Sequence, residues 1–140
     1  LPSEENDTSL LKNASAKEVE QYRKRRYLRT HDLFLVHVWR PSQSPGQVAD
    51  ISLRLRGHTE HALEDARVKS VEYFLGPKFS DGPVTKTDSS NGFRLNIEAW
   101  GPVLCVARVN LESGEVVVLE RYADFDGEAK PSGHELIELG

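Results

Sequence analysis

One cysteine in 140 residues, Cys105, excludes an internal disulfide framework. It fits a reducing compartment, so a cytoplasmic location is expected. No apolar run approaches the roughly 18 to 20 residues that a helix needs to cross a bilayer. No succession of basic, apolar and small residues opens the chain, so no secretory signal is read. The motifs that carry chemistry are missing too: no G-x-S-x-G elbow, no phosphate-cradling glycine loop, no H-E-x-x-H. Enzymatic activity therefore has no support in the sequence, no catalytic residue is assigned, and no cofactor is expected. A basic excess is lacking as well. The 18 Lys and Arg against 22 Asp and Glu leave a net charge of −4, which argues against a dedicated nucleic-acid module.

What remains is ordinary for a globular domain: 38% apolar residues, 29% charged, and a length that supports one core without staples. The chain opens on Leu1 rather than Met, which is read as a fragment or processed chain with a covalently linked neighbouring domain. Residues 1–14 are polar and aperiodic, a flexible lead-in. Ser15 and Glu18 then form the S-x-x-E signature of a capping box, and residues 15–29 hold good helix formers without Gly or Pro. The apolar stripe of this helix is thin. Its end is a cluster: Arg23, Lys24, Arg25, Arg26 and Arg29. The plain reading is a solvated face; a contact with RNA, DNA or an acidic partner is the alternative, and Arg23 to Arg26 would carry it.

From His31 the period changes to that of strands. Phe34, Val36 and Val38 alternate with Leu35, His37 and Trp39. After the turn chemistry of residues 41–46, Ile51, Leu53 and Leu55 alternate with Ser52, Arg54 and Arg56, which predicts a strand with one wet face. Val71, Tyr73 and Leu75 mark a third strand, with Val68 one position out of phase, the sign of a bulge. Residues 84–91 read as a polar loop, and Phe93, Leu95 and Ile97 as the next strand. Trp100-Gly101-Pro102 turns the chain into Val103, Cys105, Ala107 and Val109, and Glu112 to Glu115 is a hairpin turn into Val116–Tyr122. Six or seven short strands separated by turns indicate an all-β sandwich of immunoglobulin-like type with a short N-terminal helix. The sandwich is placed at 30–125 and a charged tail at 126–140.

Few constellations remain as candidates. His58 and His61 lie three apart with Glu60, Glu64 and Asp65 nearby, but no third ligand motif follows, so no metal is assigned. Cys105 sits mid-strand beside Ala107 and reads as a buried structural thiol. The aromatic pair Phe79 and Trp100 stands out. Each follows a strand, in a loop bordered by Gly or Pro. Sandwiches gather such loops at their rims and bind there. Two rings meeting at one rim would line a groove for a flat or apolar group. The competing reading is that Trp100 caps the core.

Residues 31–122 resemble the YEATS domain. The family's V-x-x-V-x-F-x-L strand is met by Val68, Val71, Tyr73 and Leu75. Its L-H-x-S-F motif is met by Leu75, Gly76, Pro77, Lys78 and Phe79, which keep the Leu and Phe and put Gly76 for His and Lys78 for Ser. Downstream of that motif, Phe93 matches the family's aromatic near P-P-F/Y. The G-W/Y-G/A-x-F turn is met by Ala99, Trp100, Gly101, Pro102 and Val103, and Ile51 stands where the family's H-x-H-x-W strand has Trp. The resemblance implies an immunoglobulin-like sandwich that binds rather than catalyses, with Phe79 and Trp100 as pocket walls flanked by Gly76, Lys78 and Gly101. In eukaryotic readers such walls grip an acyl-lysine amide. The departures are similar to the prokaryotic branch, which implies a sensor or interaction module of a larger bacterial signalling or defence protein. Three readings stay open: a ligand- or peptide-binding module at the aromatic rim, an acyl-lysine reader, and a self-association or docking domain without a small ligand. The oligomeric state is also open.

Overall fold

In the computed structural model, residues 10–76 and 82–125 are described. A 3₁₀ turn at Leu10–Asn13 precedes α1 (Ala16–Arg29). Among the described residues seven strands follow in chain order: β1 (Leu33–Pro41), β2 (Ala49–Gly57), β3 (Val68–Phe74), β4 (Val84–Lys86), β5 (Leu95–Ala99), β6 (Val103–Leu111) and β7 (Val116–Ala123). A one-turn helix, α2 (Ala62–Asp65), sits between β2 and β3. The strands make two antiparallel sheets, β1-β2-β5 and β4-β3-β6-β7. Alternation decides which side chains meet between them. Leu33, Leu35, Ile51, Leu53 and Leu55 come from one sheet, and Val71, Tyr73, Cys105, Ala107 and Val109 from the other; all are buried. Each large apolar side chain removed from water contributes about 1.5–3 kcal/mol, which is what holds two otherwise separate sheets face to face.

The out-of-phase Val68 is explained by a register shift on β6: Val68 pairs with Leu111 while Ser70 pairs with Asn110. Three local expectations need correction. The expected wet face of β2 holds at Arg54 and Arg56, half-buried and exposed, but not at Ser52, which is 1% exposed and whose hydroxyl has no hydrogen-bond partner among the described residues. The polar stretch 84–91 holds the three-residue edge strand β4, paired to β3 at Tyr73↔Val84, and a 3₁₀ turn at Ser89–Asn91. Phe93 precedes its strand rather than opening it: the backbone there is left-handed, φ 57°, and β5 begins at Leu95.

The capping box at Ser15 is formed. The Ser15 hydroxyl accepts from the Glu18 N–H at 3.2 Å, and Glu18 Oε1 accepts from the Ser15 N–H at 3.1 Å. These bonds stabilise the ionised Glu18 and lower its pKa. None of the described side chains of α1 is buried. Near its C-terminal end the Tyr27 ring stacks on His58 at 4.2 Å and meets the edge of Phe34 at 5.5 Å.

Side chains tie the outer strands β1 and β7 together. His31 Nε2 lies 2.7 Å from Glu115 Oε2 at one end. At the other, Arg121 Nε donates to His37 Nδ1 at 2.8 Å, and His37 Nε2 bonds the Asp124 carbonyl at 3.1 Å. With Nδ1 accepting, Nε2 carries the proton, so both bonds require a neutral ring. Burial holds the His37 pKa below its usual 6.5, and the Arg121 charge adds to this against the pull of the Asp124 carbonyl. The unfolded chain therefore takes up this proton first, and stability is lost as pH falls through about 6.5 until the folded ring also titrates. In urea unfolding between pH ~7.5 and ~5.5, the wild type should lose more stability than His37→Gln, by at most ~1.4 kcal/mol per pH unit. Equal losses would show that His37 does not titrate on unfolding.

Candidate functional site

Antiparallel pairing decides which loops become neighbours. Pro41 pairs with Ala49 and Ala49 with Ala99, so the β1–β2 loop and the β5–β6 turn leave the first sheet at one end. In the second sheet Phe74 pairs with Val106, which brings the exit of β3 to the end where β6 begins. The connections 42–48 and 100–102 thus share a rim with the described ends of the β3–β4 connection, 75–76 and 82–83. Hydrogen bonds fix the 42–48 loop to the end of β5, directly before the 100–102 turn. The Val48 N–H donates to the Ala99 carbonyl at 2.8 Å, and the Ser44 hydroxyl donates to the Glu98 carboxylate. Within the loop, the Ser42 N–H donates to the Val48 carbonyl at 3.0 Å and the Gln47 N–H to the Ser44 carbonyl at 3.1 Å.

Trp100 is 55% exposed in this turn, so the reading of it as a core cap is set aside. Trp39 fills the packing role instead: it lies against the core, with the Phe125 ring 5.6 Å away. Among the described residues nothing lies within 4 Å of a Cβ built at Gly101, so the turn leaves open space beside the Trp100 backbone. Gly76 has φ 95°, a conformation that L side chains rarely adopt. That gives a physical reason for glycine at the position where the family motif has His. Gly76, Trp100 and Gly101 are brought to the same rim, while Lys78 and Phe79 fall outside the described residues. Sequence reasoning missed Val48, which is 52% exposed and bonded to the backbone beside Trp100. Its signal was an isolated apolar residue between a turn and a strand. Gln47 Oε1 is a buried acceptor without a partner among the described residues.

The other candidates are accounted for locally. Cys105 is fully buried, and desolvation pushes its thiol up to about 12, far from a reactive thiolate. His58 stacks on Tyr27, and His61 Nδ1 lies 3.6 Å from Glu64. Among the described residues no group of three or more His, Cys, Asp and Glu side chains could hold a metal ion, and no helix is long and apolar enough to cross a membrane.

These features define an immunoglobulin-like sandwich with an exposed aromatic on a strand-end rim. The family model of the prokaryotic YEATS domain matches residues 49–124, which run from the start of β2 past the end of β7. The chain belongs to that family. Among solved structures it is similar to the YEATS domain of yeast Yaf9 recognising an H3K122suc peptide, with a TM-score of 0.55 at 11% identity over 67% of this chain and 72% of that one. A second structure of the Yaf9 YEATS domain gives 0.50 at 12% identity over 69% and 76%. The Yaf9 domain bound to H3K27ac gives 0.50 at 13% identity over 69% and 78%. At these identities the likeness concerns the fold. No curated protein matches the chain.

Proposed function

We propose that this chain is a non-catalytic recognition module whose site is the rim around Trp100, with Gly101, Gly76, Lys78 and Phe79 contributing and Val48 beside them. The observation that carries the reading is the exposure of Trp100 in a turn whose neighbouring loop is pinned by the Val48–Ala99 bond. A preformed aromatic surface suits a flat or apolar group, and loop backbone groups and the Gln47 acceptor supply direction. The Yaf9 domains that share the fold are described with modified histone H3 peptides, which supports a peptide carrying a modified side chain as the ligand class. Family membership supports a recognition role in a larger, cytoplasmic bacterial signalling or defence protein, by analogy.

The test is an NMR titration with acetyl-lysine, crotonyl-lysine and unmodified lysine peptides, following the indole signals of Trp39 and Trp100. A Trp100 shift selective for the acyl peptides is expected, with Trp39 unmoved. Trp100→Ala should weaken that binding about tenfold or more, while stability stays within ~0.5 kcal/mol because the ring is exposed. An unfolded variant, or unchanged binding, rejects the rim site; silence at saturating peptide removes acyl-lysine from the ligands.

A second reading, self-association without a small ligand, draws on the outer face of β6 and β7. There Leu104 faces Tyr122 across the ladder and Val118 stands nearby, all more than half exposed. Sedimentation that shows concentration-dependent mass would favour it over the first reading.

A further inference from the structure

Between the starts of β1 and β7, beneath the last turn of α1, lies a groove of about 590 Å³. Leu35, Val117 and Leu119, all buried, line it together with Phe34. Arg26 and Arg29 of α1 and Arg121 of β7 also line it, and Glu120 is the one carboxylate among the described lining residues. One wall is a sheet edge that no further strand of the described residues pairs with, because β7 is last in the order β4-β3-β6-β7. The register shows which backbone groups point into the groove. The Leu111 N–H donates to the Glu115 carbonyl at 3.0 Å, and the pairing then runs Val109↔Val117 and Ala107↔Leu119. In an antiparallel ladder hydrogen-bonded pairs recur every second residue, so 117, 119 and 121 turn their N–H and C=O towards β6. Val116, Val118 and Glu120 turn theirs outward. The His31–Glu115 and His37–Arg121 contacts bracket this window at both ends.

We infer that the groove takes a short, extended, acidic peptide segment that pairs as an added strand with Val116–Glu120 of β7, its carboxylates held by Arg26, Arg29 and Arg121. Outward N–H and C=O groups on a flat edge are a template for such pairing. The charge selects the partner: α1 holds six Lys and Arg against two Glu in fourteen residues, and its last-turn arginines face the groove. Arg26 and Arg29 already take part in interactions within the chain, but a guanidinium has five N–H donors and accommodates a further carboxylate. Alternation adds specificity: apolar residues of the segment meet Leu35 on the inner side while the acidic ones face the arginines on the side of α1. This site is separate from the Trp100 rim and does not depend on it.

The probe is a fluorescein-labelled (Glu-Val)₃ peptide added to the full chain, read by anisotropy and by amide shifts. Binding is expected to weaken by about tenfold or more in each of three cases: (Lys-Val)₃, a peptide with a central proline, and the double variant Arg26→Glu, Arg29→Glu. Amide shifts should concentrate at Val116–Glu120, and Trp100→Ala should leave the affinity for (Glu-Val)₃ as it is. A proline-interrupted peptide that binds equally well would reduce the effect to charge attraction and overturn the inference. Competition by sodium octanoate at the same amides would replace the strand with a fatty carboxylate and overturn it as well. If no peptide binds and the 116, 118 and 120 amides are already protected from exchange, the edge is covered within the chain, and the inference fails.

Discussion

Tyr73→Phe should destabilise the domain by about 1–3 kcal/mol, and Tyr73→Ala by about 3–5 kcal/mol. Tyr73 is fully buried on β3, and its hydroxyl donates to the Phe93 carbonyl at 2.6 Å. That carbonyl belongs to a residue in left-handed backbone, which a bulky side chain adopts only when its surroundings impose it. Here they do. The Phe93 N–H donates to the Asp88 carbonyl at 2.9 Å, and the Gly92 carbonyl accepts from the Leu55 N–H at 2.9 Å. The Phe93 ring is itself 1% exposed. Removing the phenol oxygen takes a donor from a carbonyl that water does not reach; removing the ring adds a cavity between the sheets. Burial raises the phenol pKa far above its usual value, so the bond persists into alkaline solution. Urea unfolding should rank wild type, Tyr73→Phe and Tyr73→Ala in descending stability. If the Phe variant matches the wild type, the Phe93 carbonyl has found another donor, and the account of the strained turn is wrong. Against a typical total of about 5–15 kcal/mol, the Ala variant loses a large share.

Gly57→Ala should cost about 1–3 kcal/mol by steric overlap alone. A Cβ there would lie 2.6 Å from the Ala62 Cβ and 2.7 Å from the Thr59 carbonyl oxygen. Ala62 is the buried residue of α2, so the single missing methyl lets this turn of helix close over the end of β2. Ala62→Gly in the same chain should recover part of the loss, because it clears one of the two overlaps and leaves the Thr59 carbonyl. Gly101→Ala at the rim is the control. No described residue lies within 4 Å of a Cβ there, so its stability should change by less than ~0.5 kcal/mol. A Gly57 variant as stable as the Gly101 variant would mean that α2 shifts without penalty.

The parts of the fold legible in the sequence are those set by local pattern. A side chain's burial in a strand follows a period of two, so Ile51, Leu53 and Leu55, and Cys105, Ala107 and Val109, could be assigned to an inner face before any partner was known. The capping box needs only residues three apart. The bulge at Val68 showed as a phase slip. What escaped depends on contacts between distant segments. β4 is three residues long and exists because β3 offers it a ladder. The left-handed Phe93 carries no local signal, since its conformation is imposed by Asp88, Leu55 and Tyr73.

The candidate site divides the same way. Loop composition marked the turn of Trp100 and Gly101, and strand order alone implied that strand-end loops gather at a rim. Two questions could not be answered from order: whether Trp100 caps the core or faces solvent, and which loop stands beside it. Trp39 and Phe125 pack at the core, Trp100 is left exposed, and the Val48–Ala99 bond places the 42–48 loop against the turn. The sequence by itself determined the two-sheet sandwich, its inner faces and its capped basic helix, because these follow from periodicity and near-neighbour bonds. Only the tertiary structure decided the exposed ring, the histidine ties between β1 and β7, and the arginine-lined groove between them. Each needs residues far apart in the chain to share one edge, and a linear pattern does not encode that proximity.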